Sequence, residues 1–273
     1  YIGGTGQEWI YSTDYKDNDI YIAGFSNSSN FPLYNPGSTY YYDGTYAGGS
    51  YGDCVIAKFT DAGVRQWCTY YGGSGSEYTY GIEATNNALW VGGGTSSTNF
   101  PTYNPGGGAY YQGSYGGGSR DGFVIKFDLN GALLWATYMG GSDYDLFGAL
   151  AANDNYVWLA GGSDGSFPTY NPGGSAYYDG TFGGGGIADA ILVQFTNDCN
   201  LRWSTYYGGS EIEGVRGIGI YGGQLWVNAF TKSSSLSLYN PGGSAYFQGT
   251  YSGGSTATMG GDLLILSFNE DCE

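Results

Sequence analysis

The 273-residue chain contains no histidine. Ser-His and Cys-His nucleophile pairs and every imidazole metal site are therefore excluded at the outset. The remaining reactive side chains are 24 Asp plus Glu and four Cys. Paired carboxylates are the machinery of a glycosidase, but the acidic residues do not fall in that pattern. Asp53, Asp121, Asp189 and Asp262 recur at one place in each of four internal copies. A carboxylate that caps a Gly-rich turn explains such recurrence, whereas an active site breaks a repeat's symmetry. One acidic cluster is not repeated, Asp14-Tyr15-Lys16-Asp17-Asn18-Asp19. Its alternation is that of a calcium loop, yet it falls on a hairpin turn and lacks the Gly and the terminal Glu of an EF-hand. The expectation is no catalytic residue, no metal and no cofactor.

The cysteines suggest covalent chemistry of another kind. Cys54 and Cys68 lie on the two arms of one predicted hairpin. Counting outward from Asp61 sets them opposite each other, within disulfide reach if the turn keeps that register. Such a bond points to an oxidising, extracellular setting. Cys199 and Cys272 occupy equivalent turns in the third and fourth copies. They pair if the turns converge, join a neighbouring molecule, or stay as thiols. One glycosylation sequon begins at Asn27, in Asn27-Ser28-Ser29.

The elements that position these residues follow from composition and repetition. Gly (53) and Tyr (30) dominate, and charged residues make up only 12%. The apolar fraction is aromatic and β-branched, which favours pleated sheets and tight turns. No stretch carries helical apolar spacing, so helix should be nearly absent. The net charge of −16, with eight Lys plus Arg, leaves no basic stripe for phosphates and argues against nucleic acid as a partner. No apolar run approaches the roughly 20 residues of a membrane span, so no membrane insertion is expected.

Aligned on its Tyr-Gly-Gly steps, the chain divides into repeats 1–69, 70–137, 138–205 and 206–273, read as one domain over 1–273. Each unit begins with a Gly-Gly turn and a short strand pair, such as Gly81 to Thr85 and Ala88 to Gly92 around Asn86-Asn87. Asn tolerates the left-handed conformation of a two-residue hairpin. A long insert follows, Phe100-Pro101-Thr102-Tyr103-Asn104-Pro105 through Tyr110-Tyr111-Gln112-Gly113 in the second unit. Pro and Gly punctuate it too densely for a ladder strand, so it reads as a loop. Each unit closes with a strong hairpin, such as Asp121 to Phe127 with Leu133 to Met139. Four strands per unit is the content of one blade of a β-propeller, and stacking of blades buries both faces of every sheet. The predicted fold is thus an all-β propeller of four tandem blades, each roughly 68 residues and four strands. Trp67, Trp135 and Trp203, with Tyr21, Trp90, Trp158 and Trp226, fill the spaces between blades.

The run Asp-Gly-Phe-Val-Ile-Lys-Phe-Asp-Leu-Asn-Gly-Ala-Leu-Leu-Trp-Ala-Thr-Tyr-Met-Gly-Gly from Asp121 to Gly141, followed by the strand pair and Phe-Pro, resembles the propeller repeats of large secreted and surface-anchored bacterial proteins, many from Bacteroidetes. The resemblance covers essentially the whole chain, with the Tyr-Asn-Pro-Gly-Gly insert as its departure. It implies a propeller and a secreted, adhesive or architectural context, and no particular reaction.

The fourth unit carries its first hairpin strand, Asp262, Leu263, Leu264, Ile265, Leu266, Ser267 and Phe268, without the Trp-bearing partner of the other units. That open edge invites a strand from elsewhere, either a neighbouring stretch of polypeptide or another subunit. Two functions follow. In the first, the chain is a structural or adhesive module of the cell surface, self-associating or joining neighbouring propeller modules through its Tyr-rich inserts. In the second, the pairs Tyr41 and Tyr42, Tyr110 and Tyr111, Tyr177 and Tyr178, and Tyr246 and Phe247 present repeated platforms to glycans, weak sites that gain by linkage. Contact loops would be buried; sugar platforms would be open.

Overall fold

The computed structural model describes residues 1–184, 188–253 and 261–273. Among them there are fifteen strands and no helix. The first sheet holds β1 (Glu8–Lys16), β2 (Asp19–Ser26), β3 (Asp53–Thr60) and β4 (Arg65–Tyr71) in that order. The second holds β5 (Glu77–Ala84), β6 (Leu89–Thr95), β7 (Asp121–Phe127) and β8 (Leu133–Met139). The third holds β9 (Asp145–Ala152), β10 (Tyr156–Ser163), β11 (Asp189–Thr196) and β12 (Leu201–Tyr207). The fourth has three strands, β13 (Glu213–Tyr221), β14 (Gln224–Thr231) and β15 (Asp262–Phe268). All neighbours are antiparallel and consecutive along the chain, so each sheet is a meander built from one repeat.

The short pairs are longer than the sequence reading, and their turns differ. Asn86 and Asn87 do not adopt left-handed angles. Thr85 closes that turn instead, through its backbone N–H on the Ala88 carbonyl at 2.8 Å and its hydroxyl, which accepts the N–H groups of Asn87 and Ala88. Left-handed pairs occur in the first and fourth units, at Asp17-Asn18 and Gly222-Gly223. Each first strand is bulged, as between Thr79 and Gly81. Beside that bulge Gly93 is obligatory, because a Cβ there would sit 1.9 Å from the Tyr78 carbonyl oxygen.

The sheets pack in sequence. β5 lies on β1, β2 and β3, β9 on β5, β6 and β7, and β13 on β9, β10 and β11. No packing of that extent joins the fourth sheet to the first among the described residues. Each junction encloses its own apolar cluster. Trp67, Ile56 and Tyr71 meet Val91, Phe100 and Phe127 at the first. Trp90 and Trp135 meet Phe147, Leu159 and Phe195 at the second. Trp158 and Trp203 meet Leu225, Val227 and Phe268 at the third. Six of the seven aromatics expected between sheets are buried there, while Trp226 is 43% exposed. Among the described residues its side of the fourth sheet has no further sheet against it.

Polar staples repeat with the apolar clusters. Each of the first three inserts donates one N–H to the next sheet's hairpin turn: Tyr41 to the Gly131 carbonyl at 2.8 Å, Tyr110 to Cys199 at 2.9 Å, Tyr177 to Cys272 at 2.9 Å. Lys58 Nζ donates to the Leu129 carbonyl at 2.9 Å, and Lys126 and Gln194 reach the Asn197 and Glu270 carbonyls in the same way. Neighbouring units are thus joined by one recurring contact.

Candidate functional site

The repeated acidic residues are where chemistry would be expected, and three of the four are sealed. Asp53, Asp121 and Asp189 are fully buried and hold the end of each insert, accepting the N–H groups of Ala47, Gly116 and Gly183 at 2.8, 2.7 and 2.7 Å. Asp262 accepts the Ser252 N–H at 2.6 Å. This is the turn-capping geometry that the repetition suggests. A second carboxylate escaped the sequence reading. Glu77, Asp145 and Glu213 are also buried, each standing just beyond the Gly-Gly step that separates it from Asp53, Asp121 or Asp189. Gly141 and Gly209 donate N–H groups to Asp145 and Glu213 at 2.7 and 2.9 Å. The Glu77 Oε1 accepts from Thr95 at 2.7 Å and from Ser97. The signal was present in the sequence: Glu8, Glu77, Asp145 and Glu213 each follow a Gly-Gly pair at one offset.

The two carboxylates meet across the glycines. A Cβ on Gly72 would stand 2.5 Å from the Glu77 Oε2 and 3.1 Å from the Asp53 Cβ. On Gly140 it would stand 2.8 Å from the Asp121 Cγ and 2.9 Å from an Asp145 oxygen. Removal from water pushes the carboxyls up, Asp53, Asp121 and Asp189 to about 6 and Glu77 and Asp145 to about 7. Backbone donors oppose this, and the neighbouring carboxylate reinforces it at Asp53–Glu77 and Asp121–Asp145. None of these carboxyls lines the two shallow surface depressions, one around Pro172, Arg202 and Asp271, the other around Tyr1, Pro32 and Arg65. Asp53, Asp121, Asp145 and Asp189 each grip a backbone N–H through one oxygen and keep the other, Oδ1, buried without a hydrogen-bond partner among the described residues.

The calcium-like run is dispersed. Asp14 accepts the Ala84 N–H of the second sheet at 2.7 Å, Asp19 pairs with Lys58 at 2.8 Å, and Asp17 lies 3.7 Å from Lys16. No group of three or more potential metal ligands exists among the described residues. The Asn27 side-chain oxygen accepts the Gln7 N–H at 2.6 Å.

The expected Cys54–Cys68 disulfide is not formed, and all four cysteines are free. The hairpin turn carries Gly63 in the left-handed region, with a bulge between Lys58 and Phe59. Cys68 therefore faces Ala57, and Cys54 faces Tyr71. Three positions apart along β3, the two thiols point to opposite faces of the sheet. Cys54 enters the junction with the second sheet, and Cys68 the outer cluster with Phe31 and Tyr70. Cys199 and Cys272 take the left-handed turn position that Gly131 fills in the second unit, with φ of 64° and 66°. They are buried in separate junctions and do not converge.

The Tyr-rich inserts divide by position. Tyr41, Tyr110 and Tyr177 wedge into the sheet junctions, packing on Phe127, Phe195 and Phe268. Burial pushes the Tyr110 hydroxyl up to about 12. These three rings are contacts between units and offer no open platform. Tyr42, Tyr111 and Tyr178 stand at the surface, each folded over the Gly two residues on. Tyr246 is 88% exposed, the one first-position ring outside a junction, and Phe247 is at the surface beside it. The inserts are loops, as expected, yet each of the first three touches its outer strand through isolated bridges such as Tyr103 to Ala136.

No protein-family model matches the chain, and no curated protein matches it. A solved structure described as a glycosyl hydrolase from Bacteroides ovatus is similar over 98% of this chain and 85% of that one, at 8% identity and a TM-score of 0.24. Likeness at that level carries no inference about fold or activity. No helix among the described residues is long and apolar enough to cross a membrane.

Proposed function

We propose that this chain is a structural module of an extracellular assembly, four consecutive blades of a β-propeller-type repeat acting as a bead or protomer in a surface filament or adhesin, without catalysis. The observation that carries this reading is the repeated junction. The same Trp cluster, Tyr wedge and hairpin-turn staple join sheets one to two, two to three and three to four. An interface repeated head to tail either closes into a ring or continues from molecule to molecule. The fourth sheet presents Leu263 and Ile265, 89% and 69% exposed, on the side where the earlier sheets carry the next unit. The carboxylates support a non-catalytic reading, because they are buried, each holds a backbone or hydroxyl donor through at least one oxygen, and none lines either surface depression. With no disulfide to argue for an oxidising compartment, the extracellular assignment rests on the resemblance to secreted propeller repeats.

Analytical ultracentrifugation tests this reading. The sedimentation coefficient is expected to rise with protein concentration, and Ile265→Asp is expected to abolish the rise. A single monomeric species at all concentrations removes the scaffold. Binding of that monomer on a glycan array, lost on removal of Tyr42, Tyr111 and Tyr178, would establish the glycan-binding alternative.

A further inference from the structure

The three complete sheets show what holds an outer strand in place. Tyr34, Tyr103 and Tyr170 exchange both backbone hydrogen bonds with Cys68, Ala136 and Ser204, at 2.9 to 3.1 Å. The indole N–H groups of Trp67, Trp135 and Trp203 donate to the carbonyls of Tyr41, Tyr110 and Tyr177 at 2.7, 2.8 and 2.7 Å. The N–H groups of Asp43, Gln112 and Asp179 donate to the hydroxyls of Thr69, Thr137 and Thr205 at 2.8, 2.8 and 2.7 Å. The carbonyls of Asp43, Gln112 and Asp179 then accept the N–H groups of Tyr70, Tyr138 and Tyr206 at 3.2, 3.1 and 3.0 Å. Each insert is therefore a clamp. It reads a strand of the pattern Trp-x-Thr-Tyr, using an indole and a hydroxyl for specificity and the backbone for affinity.

The fourth unit repeats the clamp position by position, with Tyr239, Tyr246 and Gln248 on the same Tyr-Asn-Pro-Gly-Gly loop. Yet β15 has β14 as its one neighbour among the described residues. Tyr239 is 85% exposed, and Ile265 stands open where its counterparts Ile56, Val124 and Leu192 are sealed. The chain's three strands of the required pattern are already paired in β4, β8 and β12. Its first residues, which end a similar pattern, lie elsewhere. Ile2 packs with Phe31 and Val55 of the first sheet, and Gly4 donates its N–H to Glu8 at 3.1 Å.

We propose that the fourth sheet is an acceptor for a Trp-x-Thr-Tyr β-strand from a second molecule, added antiparallel to β15 and clamped by Tyr239, Tyr246 and Gln248. This deepens the scaffold reading, on which it rests, by naming the joint and the chemistry that passes through it. The incoming indole stands opposite Ser267, as Trp135 stands opposite Lys126, on the face that carries Ile265, and its N–H meets the Tyr246 carbonyl. The incoming Thr hydroxyl meets the Gln248 N–H.

The test adds a synthetic peptide with the sequence of Leu201–Gly209 to the full chain and follows hydrogen exchange. The amides of 262–268 that point away from β14 are expected to exchange readily in the chain alone and to be protected by the peptide. A peptide with Ala in place of its Trp is expected to bind at least about tenfold more weakly, as for a buried aromatic anchor. Gln248→Pro, which deletes the clamp's N–H from an exposed loop, is expected to weaken binding while leaving the other three sheets protected. Protection of these outward amides before peptide is added, or no change in them after it, overturns the proposal. Binding without any assembly of the native protein would keep the acceptor and remove the scaffold; assembly without peptide binding would do the reverse.

Discussion

Trp135→Ala is expected to lower the melting temperature by roughly 6–20 °C, whereas Trp226→Ala at the equivalent face of the fourth sheet should change it by only a few degrees. Trp135 is fully buried, meets Phe195 edge-on at 5.2 Å, and donates its indole N–H to the Tyr110 carbonyl at 2.8 Å. Truncating a buried Trp costs about 3–5 kcal/mol, and each kcal/mol moves the midpoint by roughly 2–4 °C in a domain near this size. The Tyr110 carbonyl also loses its partner, and with it part of the joint between the second and third sheets. Trp226, 43% exposed, has less buried area to lose. Calorimetry on the two variants checks this, and equal losses would mean that the fourth sheet is covered as the others are. In assembled material the ranking changes, because Trp226 lies on the side where a further unit would pack.

Stability is expected to fall as pH rises from about 4 to about 7, the reverse of the usual carboxylate effect. Asp53, Asp121 and Asp189 are raised by burial to about 6, and Glu77 and Asp145 to about 7. In the unfolded chain they titrate near 4. Between those values the folded state holds protons that the unfolded state has released, so the slope of stability against pH is negative. The contribution is complete below about 4 and is lost as pH passes through the folded values. One carboxyl held two units high corresponds to roughly 3 kcal/mol, enough for a shift of roughly 6–12 °C. The net charge of −16 pushes in the same direction through self-repulsion, so a substitution separates the two. Asp121→Asn, which keeps an acceptor for Gly116 and removes the titration beside Asp145, should flatten the slope. Asp61→Asn, at an exposed turn, should leave it unchanged. A midpoint that rises between pH 4 and 7 would contradict the buried pairs.

The repeat made most of the architecture legible. Aromatic and β-branched runs between Gly-rich steps marked the closing hairpins, and Asp121–Phe127 with Leu133–Met139 appear with those bounds, while the short pair read at Gly81 to Thr85 and Ala88 to Gly92 spans Glu77–Ala84 and Leu89–Thr95. What failed was register. The Cys54–Cys68 expectation assumed a symmetric turn, while a left-handed Gly63 and a bulge displace the pairing by three positions. Gly63 is the residue type that suits such an asymmetric turn, and the same turn position holds Gly131 in the second unit but Cys199 and Cys272 in the others, so composition marks it in two copies of four. The inserts were read correctly as loops and incompletely as surfaces. Their first Tyr is a wedge because it lies beside a neighbouring turn, a contact between units roughly 70 residues apart that no local pattern displays. The second set of carboxylates is visible as a spacing after Gly-Gly, where Asp145 stands among Glu8, Glu77 and Glu213, so identity of residue type does not mark it.

Cryo-electron microscopy of the native assembled material tests the scaffold account most directly, through the density beside Asp262–Phe268. The account predicts an antiparallel strand from another molecule, with an indole N–H on the Tyr246 carbonyl and a Thr hydroxyl at Gln248. Isolated particles in which that edge is bare, or is filled by the same molecule, would contradict it.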